Sequence, residues 1–524
     1  MSFSSFLDIQ LLEGEFFIMK KVLFFKNTAL LTATSLILRF LGIIFKVYLS
    51  GAVGSEGIGL YQLVFSVYML ANTFASSGLT VAVTRLIADE LTLGSEKGVK
   101  KILFKCMALA AFFAFLSGFI VFVFSKPIAL FFIGDEKSLP ALKTLTFSLP
   151  FMAISACIRG YFTARRKALP PCISGVFEQL IRIFVTLKIL KRAVGAENAC
   201  TAILTGDLVA EAAATSIILL FLFADFKYLR ILKGRVHPPF KLTKEIMRIS
   251  LPISSSRLIN SLLRTAESLL VPVCLVKFGM DRAAAVSLFG MIKGMALPLI
   301  FFPSSLLSAV SSLLIPEICE AKAKGQTGIA RKQIGKVLKI TALSGLFLAA
   351  VFLFCGKTLC TLVYKEAEVA SLVIALAPLT PLMYLDSVCD GILKGLDQQN
   401  FSFKVTVSDS ALRLVFTLFF VTEFGINGFL GIMYFSNLYT CLLNCLRLQK
   451  VMGLKIKPLR NVLVPTLFAF ACGYLTKSAL LPFPLPQIFY AVVFCVFAFA
   501  FFFTLLLLGG ITSKEEIHLL LRRN

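Results

Sequence analysis

Tryptophan is absent from this chain, histidine occurs only twice, and charged residues make up 15% of its 524 positions. A soluble domain carries roughly 25% charged residues, so a set of ordinary soluble domains is excluded. Without Trp, any aromatic belt at a membrane surface has to be built from Tyr and Phe. The thirteen Cys include no CxxC pair, and with two distant His they suggest neither a disulfide framework nor a zinc site. Most of them, such as Cys106, Cys157, Cys274 and Cys495, sit in apolar stretches and read as small buried hydrophobes. HExxH, GxSxG and Walker A patterns are missing too. That disfavours a metalloprotease, a serine hydrolase and a P-loop ATPase. No catalytic residue, metal or cofactor is expected. No basic region followed by a small-residue cleavage site precedes the first apolar block. Residues 1–18 stand ahead of Met19-Lys20-Lys21, which looks more like a native start.

What the chain has is apolar length. It is 58% hydrophobic, with 53 Phe and a mean hydropathy of +0.88. A bilayer-crossing helix needs about 20 apolar residues. Such blocks occur near 27–49, 57–80, 102–124, 140–163, 170–190, 200–223, 247–275, 283–315, 337–356, 369–393, 403–421, 424–446, 461–480 and 487–509. Pro150 is expected to bend the fourth, and Pro298 and Pro303 the long eighth. The fold expected is an all-α integral membrane protein of about fourteen transmembrane helices.

The net charge of +25 lies largely in short loops between these spans, so it points to a membrane surface rather than to nucleic acid. Lys97, Lys100 and Lys101, then Arg165, Arg166 and Lys167, then Lys227, Arg230, Lys233, Arg235, Lys241 and Lys244 fill alternate loops. Lys322, Lys324, Arg331, Lys332 and Lys336, then Lys450, Lys455, Lys457 and Arg460, continue the series. The intervening loops are nearly bare, which places both termini in the cytoplasm by the positive-inside rule.

A shift of 225 positions sets Arg39 opposite Arg264, and Gly54-Ser55-Glu56 opposite Gly279-Met280-Asp281. This pairs the first span with the seventh, as in parallel repeats of six helices. The expected organisation is a segment 1–26, a six-helix bundle 27–223, a basic linker 224–246 and a second bundle 247–446. A basic loop 447–460, two additional helices in 461–509 and a tail 510–524 follow.

A charge at mid-bilayer costs about 2.5–3.5 kcal/mol on insertion scales, so charges inside spans should face protein or water. Arg257, Asn260, Arg264 and Glu267 recur every three or four residues along the seventh span, which places them near one helix face. With Arg39, Arg159 and Lys293 they are candidates to line a cationic, water-filled cavity that attracts an anionic headgroup such as a diphosphate. Glu178 with Arg182, and Asp409 with Arg413, have the i,i+4 spacing of structural ion pairs. Asp207 with Glu211, and Asp386 with Asp390, stack like charges one turn apart and are candidates for ion coupling. Lys394 stands a further turn on and is placed to neutralise Asp390.

The stretch Ser35-Leu-Ile-Leu-Arg39-Phe-Leu-Gly42-Ile-Ile-Phe-Lys46, the following Gly54-Ser55-Glu56-Gly57-Ile58-Gly59-Leu60-Tyr61-Gln62, and Ser77-Gly78-Leu79 through Thr84-Arg85-Leu86-Ile87-Ala88 carry a family likeness. The chain resembles the polysaccharide biosynthesis (oligosaccharide flippase) family, and within it the stage V sporulation protein B group. That family belongs to the superfamily of multidrug/toxin extruders and peptidoglycan-precursor flippases. The resemblance implies a MATE-like frame of two six-helix bundles plus two C-terminal helices. It also implies export of a polyprenyl-diphosphate-linked saccharide across the bacterial cytoplasmic membrane, with membrane lipids and envelope-synthesis enzymes as candidate partners and a monomer as the working unit. Arg39 matches the arginine that precedes the first-helix glycine in the peptidoglycan flippases. Lys46 lies one position late for that motif's second basic residue, with Val47 where an acid is expected, which leaves room for another polyprenyl-linked glycan. The alternatives are a cation-coupled drug extruder of the same fold and a membrane scaffold. Extruders commonly place an acid in the N-terminal bundle for cation coupling, and the first helix here has none.

Overall fold

Gly54 interrupts the first long helix, α1 (Phe3–Thr92), with φ 75° and ψ 173°, a conformation that only a residue without a Cβ adopts at low cost. Gly279 is also at positive φ, 110°, in the break between α7 (Pro239–Lys277) and α8 (Arg282–Gly290). The 225-residue shift therefore superposes two glycine-dependent helix breaks.

The computed structural model describes residues 3–93, 96–191, 195–227, 239–364, 366–454, 462–483 and 485–511. The centre of the expected 224–246 linker, most of the tail after 509 and residues 455–460 of the 447–460 loop lie outside them. Ten helices among the described residues are long and apolar enough to cross a membrane by length and composition. Two of these, 29–92 and 399–452, each hold two expected spans, interrupted at Gly54 and Gly425. The two remaining spans are helices as well. Residues 170–190 fall in Leu169–Leu190, where Glu178, Arg182 and Lys188 reduce the hydropathy. Residues 461–480 fall in Val464–Leu480, a helix of 17 residues. The fourteen expected spans are thus recovered as helical segments.

Proline places the irregularities. The fourth span divides into Leu139–Thr146 and Leu149–Ala164, with the break just before Pro150. The eighth passes from α8 into a π turn, Met291–Ala296, and then into Leu297–Ala323, with Pro298 at its start. Proline has no N–H to give to the preceding turn, and π turns re-register such ladders. Two carbonyls of this stretch also accept tyrosine hydroxyls. The Tyr364 hydroxyl donates to Met295 O at 2.9 Å and the Tyr384 hydroxyl to Ile300 O at 2.6 Å.

The chain packs as two units, neither continuous in sequence. One comprises residues 1–42 and 63–265, the other 43–62 and 266–524. In the first, the Thr265 hydroxyl donates to Ser66 O at 3.1 Å. A Cβ on Gly78 would lie 2.2 Å from Ser250 O, so the two helix backbones meet where glycine permits it.

In the second unit, residues 43–62 lie against α8. A Cβ on Gly59 would stand 2.1 Å from Val286 O, and one on Gly290 2.1 Å from Ser55 O. The hydroxyls of Ser55 and Ser287 meet at 2.7 Å. Small residues allowing close backbone approach are the usual means of joining helices in lipid. The two C-terminal helices, Val464–Leu480 and Gln487–Leu508, pack through Cys472, Phe494 and Phe502 on Leu346, Ala350 and Cys355. Large apolar side chains are exposed on the outside, including Phe115, Phe119, Phe184 and Phe489 at 65–68%. A soluble surface does not tolerate such patches, and lipid favours them.

Candidate functional site

Three helices of the first unit bring five ionisable side chains together. Arg159 on Leu149–Ala164 reaches Glu178 on α5 (Leu169–Leu190), with Nη2 2.7 Å from Oε2. Arg182, one turn on, sets Nη2 2.8 Å from Glu178 Oε1 and Nε 2.6 Å from Asp207 Oδ1 on α6 (Ala196–Lys227). Its Nη2 is 3.9 Å from Glu211 Oε1. Gln179 accepts from Arg182 Nη1 at 2.9 Å, and Ser155 from Arg159 Nε at 3.2 Å. The i,i+4 pair of α5 is therefore the middle of a network. Asp207 and Glu211 do not face each other alone, because Arg182 lies between them and Glu178. Three carboxyl groups share two guanidinium groups, so complete ionisation would leave one negative charge uncompensated among mostly buried side chains.

The second unit has its own network. Arg413 grips Glu267, with Nε 3.1 Å from both carboxylate oxygens and Nη2 on Oε1. Arg413 Nη1 donates to Ser436 Oγ at 3.3 Å, and Ser436 Oγ donates to Asp409 Oδ1 at 2.6 Å. Glu267 is 3% exposed. The spacing that grouped Glu267 with Arg257, Asn260 and Arg264 placed it toward a cavity. In the structure Glu267 belongs to the second unit and is buried on Arg413, whereas Arg257, Asn260 and Arg264 belong to the first. Asp386 accepts from Asn444 Nδ2 at 2.8 Å, and Asp390 pairs with Lys394. Lys293 is half-buried in the π turn of the eighth span.

The remaining sequence candidates lie on the first unit. Arg39, Arg257 and Arg264 are all exposed, and Asn260 is half-buried. Arg257 Nη1 donates to Ser77 O at 3.0 Å, which ties α7 to the second half of α1.

One cluster was missed from sequence. Asp225 near the end of α6 pairs with Arg165, Nη1 to Oδ2 at 2.8 Å, and with Lys167, and accepts the Tyr161 hydroxyl at 2.6 Å. Asn27 Nδ2 donates to Arg166 O at 2.6 Å, where Arg166 adopts a φ of 55°. An acid at a span's end beside an Arg-Arg-Lys loop was the available signal. Among the described residues no group of three or more His, Cys, Asp or Glu is arranged to hold a metal.

Fourteen helical spans, two packed units and ion networks enclosed within the spans define a multi-pass membrane protein. The family model for polysaccharide biosynthesis proteins matches residues 24–322, more than half of the chain, and the chain belongs to that family. It is similar to stage V sporulation protein B of Bacillus subtilis (strain 168), with 25% identity over 470 residues, 88% of this chain and 90% of the relative. It is similar also to lipid II flippase MurJ of the same organism, 22% identical over 414 residues, 74% of this chain and 76% of the relative. A solved structure of lipid II flippase MurJ in an inward closed conformation shares the fold. It superposes with a TM-score of 0.65 at 14% identity, over 91% of this chain and all of that one. A multidrug resistance MATE family transporter in an inward-facing conformation shares the fold too, with a TM-score of 0.61 at 15% identity over 86% of this chain and all of that one.

Proposed function

We propose that this protein moves a polyprenyl-diphosphate-linked saccharide across the bacterial cytoplasmic membrane by alternating access, acting as a monomer with both termini in the cytoplasm. The observation that carries the proposal is the exposure of Arg39, Arg257 and Arg264 on one unit, within stretches that are otherwise apolar. A guanidinium exposed within an apolar stretch is tolerated where protein, water or an anion meets its charge, and its planar fork suits phosphate oxygens. The prenyl tail would remain in lipid while the headgroup crosses. The names of the relatives, a lipid II flippase and a sporulation protein, support a cell-envelope glycan as cargo.

Ion coupling is assigned to Asp207 and Glu211. Their network has one carboxyl group more than it has guanidinium groups, whereas Asp390 is paired with Lys394; Asp386, which accepts from the neutral Asn444 amide, is the second candidate. Envelope-synthesis enzymes are natural partners, since they supply the substrate inside and consume it outside.

The test is leaflet-specific accessibility of a labelled polyprenyl-diphosphate saccharide in proteoliposomes. Charge-assisted hydrogen bonds contribute about 1.5–3 kcal/mol each, so Arg39→Ala and Arg264→Ala are each expected to weaken recognition about 10- to 100-fold. Folded protein that moves no such lipid under any imposed gradient, yet expels cationic drugs, would sink the flippase assignment in favour of an extruder.

A further inference from the structure

Two thiols from separate helices touch in the second unit. Cys389 Sγ on the helix Thr380–Gly395 lies 3.6 Å from Cys445 Sγ on the helix Thr422–Met452. Polar ties on either side hold the two helices in register here. One turn away on one side Asn444 Nδ2 donates to Asp386 at 2.8 Å. On the other, Arg447 donates to the side chain of Gln398, in the turn that follows the first helix, through Nε at 3.0 Å and Nη2 at 2.6 Å. Asn444 Oδ1, beside Cys445, is buried without a hydrogen-bond partner. These cysteines were read from sequence as inert buried hydrophobes, and their position 56 residues apart hid the contact.

We propose that Cys389 and Cys445 are a redox-active dithiol that closes to a disulfide under peroxide, cross-linking these two helices. The S–S bond is about 2.05 Å long, so the sulfurs have to approach by roughly 1.5 Å from their present separation, a distance that side-chain rotation and a slight helix adjustment cover.

Cys445 is half-buried whereas Cys389 is closed off from the surface, so Cys445 meets the oxidant first. Its sulfur attacks one oxygen of hydrogen peroxide, the O–O bond breaks, and a sulfenic acid and one water result. Cys389 sulfur then attacks the sulfenic sulfur. The hydroxyl leaves with the Cys389 proton as a second water, and the disulfide remains. Two thiols are oxidised by two electrons and one peroxide is reduced, so the step balances. A thiol reductant reverses it by exchange.

Cys441 stands one turn before Cys445 on the same helix and its thiol also reaches that of Cys445, but the backbone spacing disfavours it as the disulfide partner. Helical residues four apart hold their Cβ atoms about 5–6 Å apart, beyond the roughly 3.5–4.5 Å that a disulfide spans.

The assignment is tested on the full chain in liposomes, treated with hydrogen peroxide, alkylated under denaturing conditions, digested and weighed by mass spectrometry. Expected are the loss of two alkylatable thiols and a peptide pair joined through Cys389 and Cys445. That product should persist in Cys441→Ser, vanish in Cys389→Ser and Cys445→Ser, and revert with dithiothreitol. Recovery of Cys389 and Cys445 as alkylated thiols after peroxide, or joining of either to Cys441, would overturn it. The readout is chemical, so it stands or falls independently of which cargo is carried.

Discussion

Arg413 and Glu267 are 146 residues apart in sequence and form a forked ion pair in the second unit, three nitrogen–oxygen contacts between one guanidinium and one carboxylate. Both side chains are largely buried, at 15% and 4% exposure. Desolvation makes such a pair a weak source of net stability, while loss of one partner strands the other's charge in an apolar surrounding.

A double-mutant cycle should expose that asymmetry. Arg413→Met or Glu267→Met alone is expected to cost about 3–5 kcal/mol, seen as a lowered midpoint in detergent unfolding. The double replacement should recover most of it. Simple additivity of the two losses would mean that the residues do not act as a pair.

Close helix approach yields a second expectation. Gly290→Ala places a methyl 2.1 Å from Ser55 O and 2.6 Å from Gly59 N, where backbone has to move, so a loss of about 1–3 kcal/mol is expected. Gly51→Ala meets nothing within 4 Å and serves as the control. Its midpoint should hold or rise, because alanine is the better helix former by up to about 1 kcal/mol.

Asp225 holds the Arg165–Lys167 turn through two ion pairs and the Tyr161 hydroxyl. Asp225→Ala should free that turn, and trypsin should cut after these basic residues several-fold faster while the remaining digestion pattern is retained. An unchanged cleavage rate would assign the turn's order to Asn27 and local packing instead.

Glu211→Gln brings the first unit's network to two carboxyl groups against two guanidinium groups. If Glu211 carries the coupled ion, transport by this variant should cease to respond to an imposed pH gradient while its thermal midpoint is kept. Transport by the unaltered protein that ignores pH gradients would remove the coupling role from Asp207 and Glu211 together.

Several local relations were legible because they depend on spacing along one helix. Glu178 and Arg182 meet as their i,i+4 interval implies, Lys394 meets Asp390, and the fourth helix breaks beside Pro150. Relations between helices were not. Asp207 pairs with Arg182 rather than confronting Glu211 alone, and Arg413 takes Glu267 as well as reaching Asp409 through Ser436. The 225-residue shift was visible as two weakly matching Gly-acid turns, and Gly54 and Gly279 both adopt a positive φ.

Length and placement of apolar blocks determined from sequence alone that the chain crosses a membrane some fourteen times, since a bilayer's thickness fixes the number of apolar residues per crossing. Glycine and proline likewise marked where the helices break, because those preferences are properties of single residues. Only the tertiary structure decided which buried charges neutralise one another, which arginines remain exposed and which cysteines touch. Those outcomes depend on the rotation and register of one helix against another, set by small-residue contacts such as Gly59 on Val286 and Gly290 on Ser55, and a one-dimensional pattern does not encode the angle at which two helix faces meet.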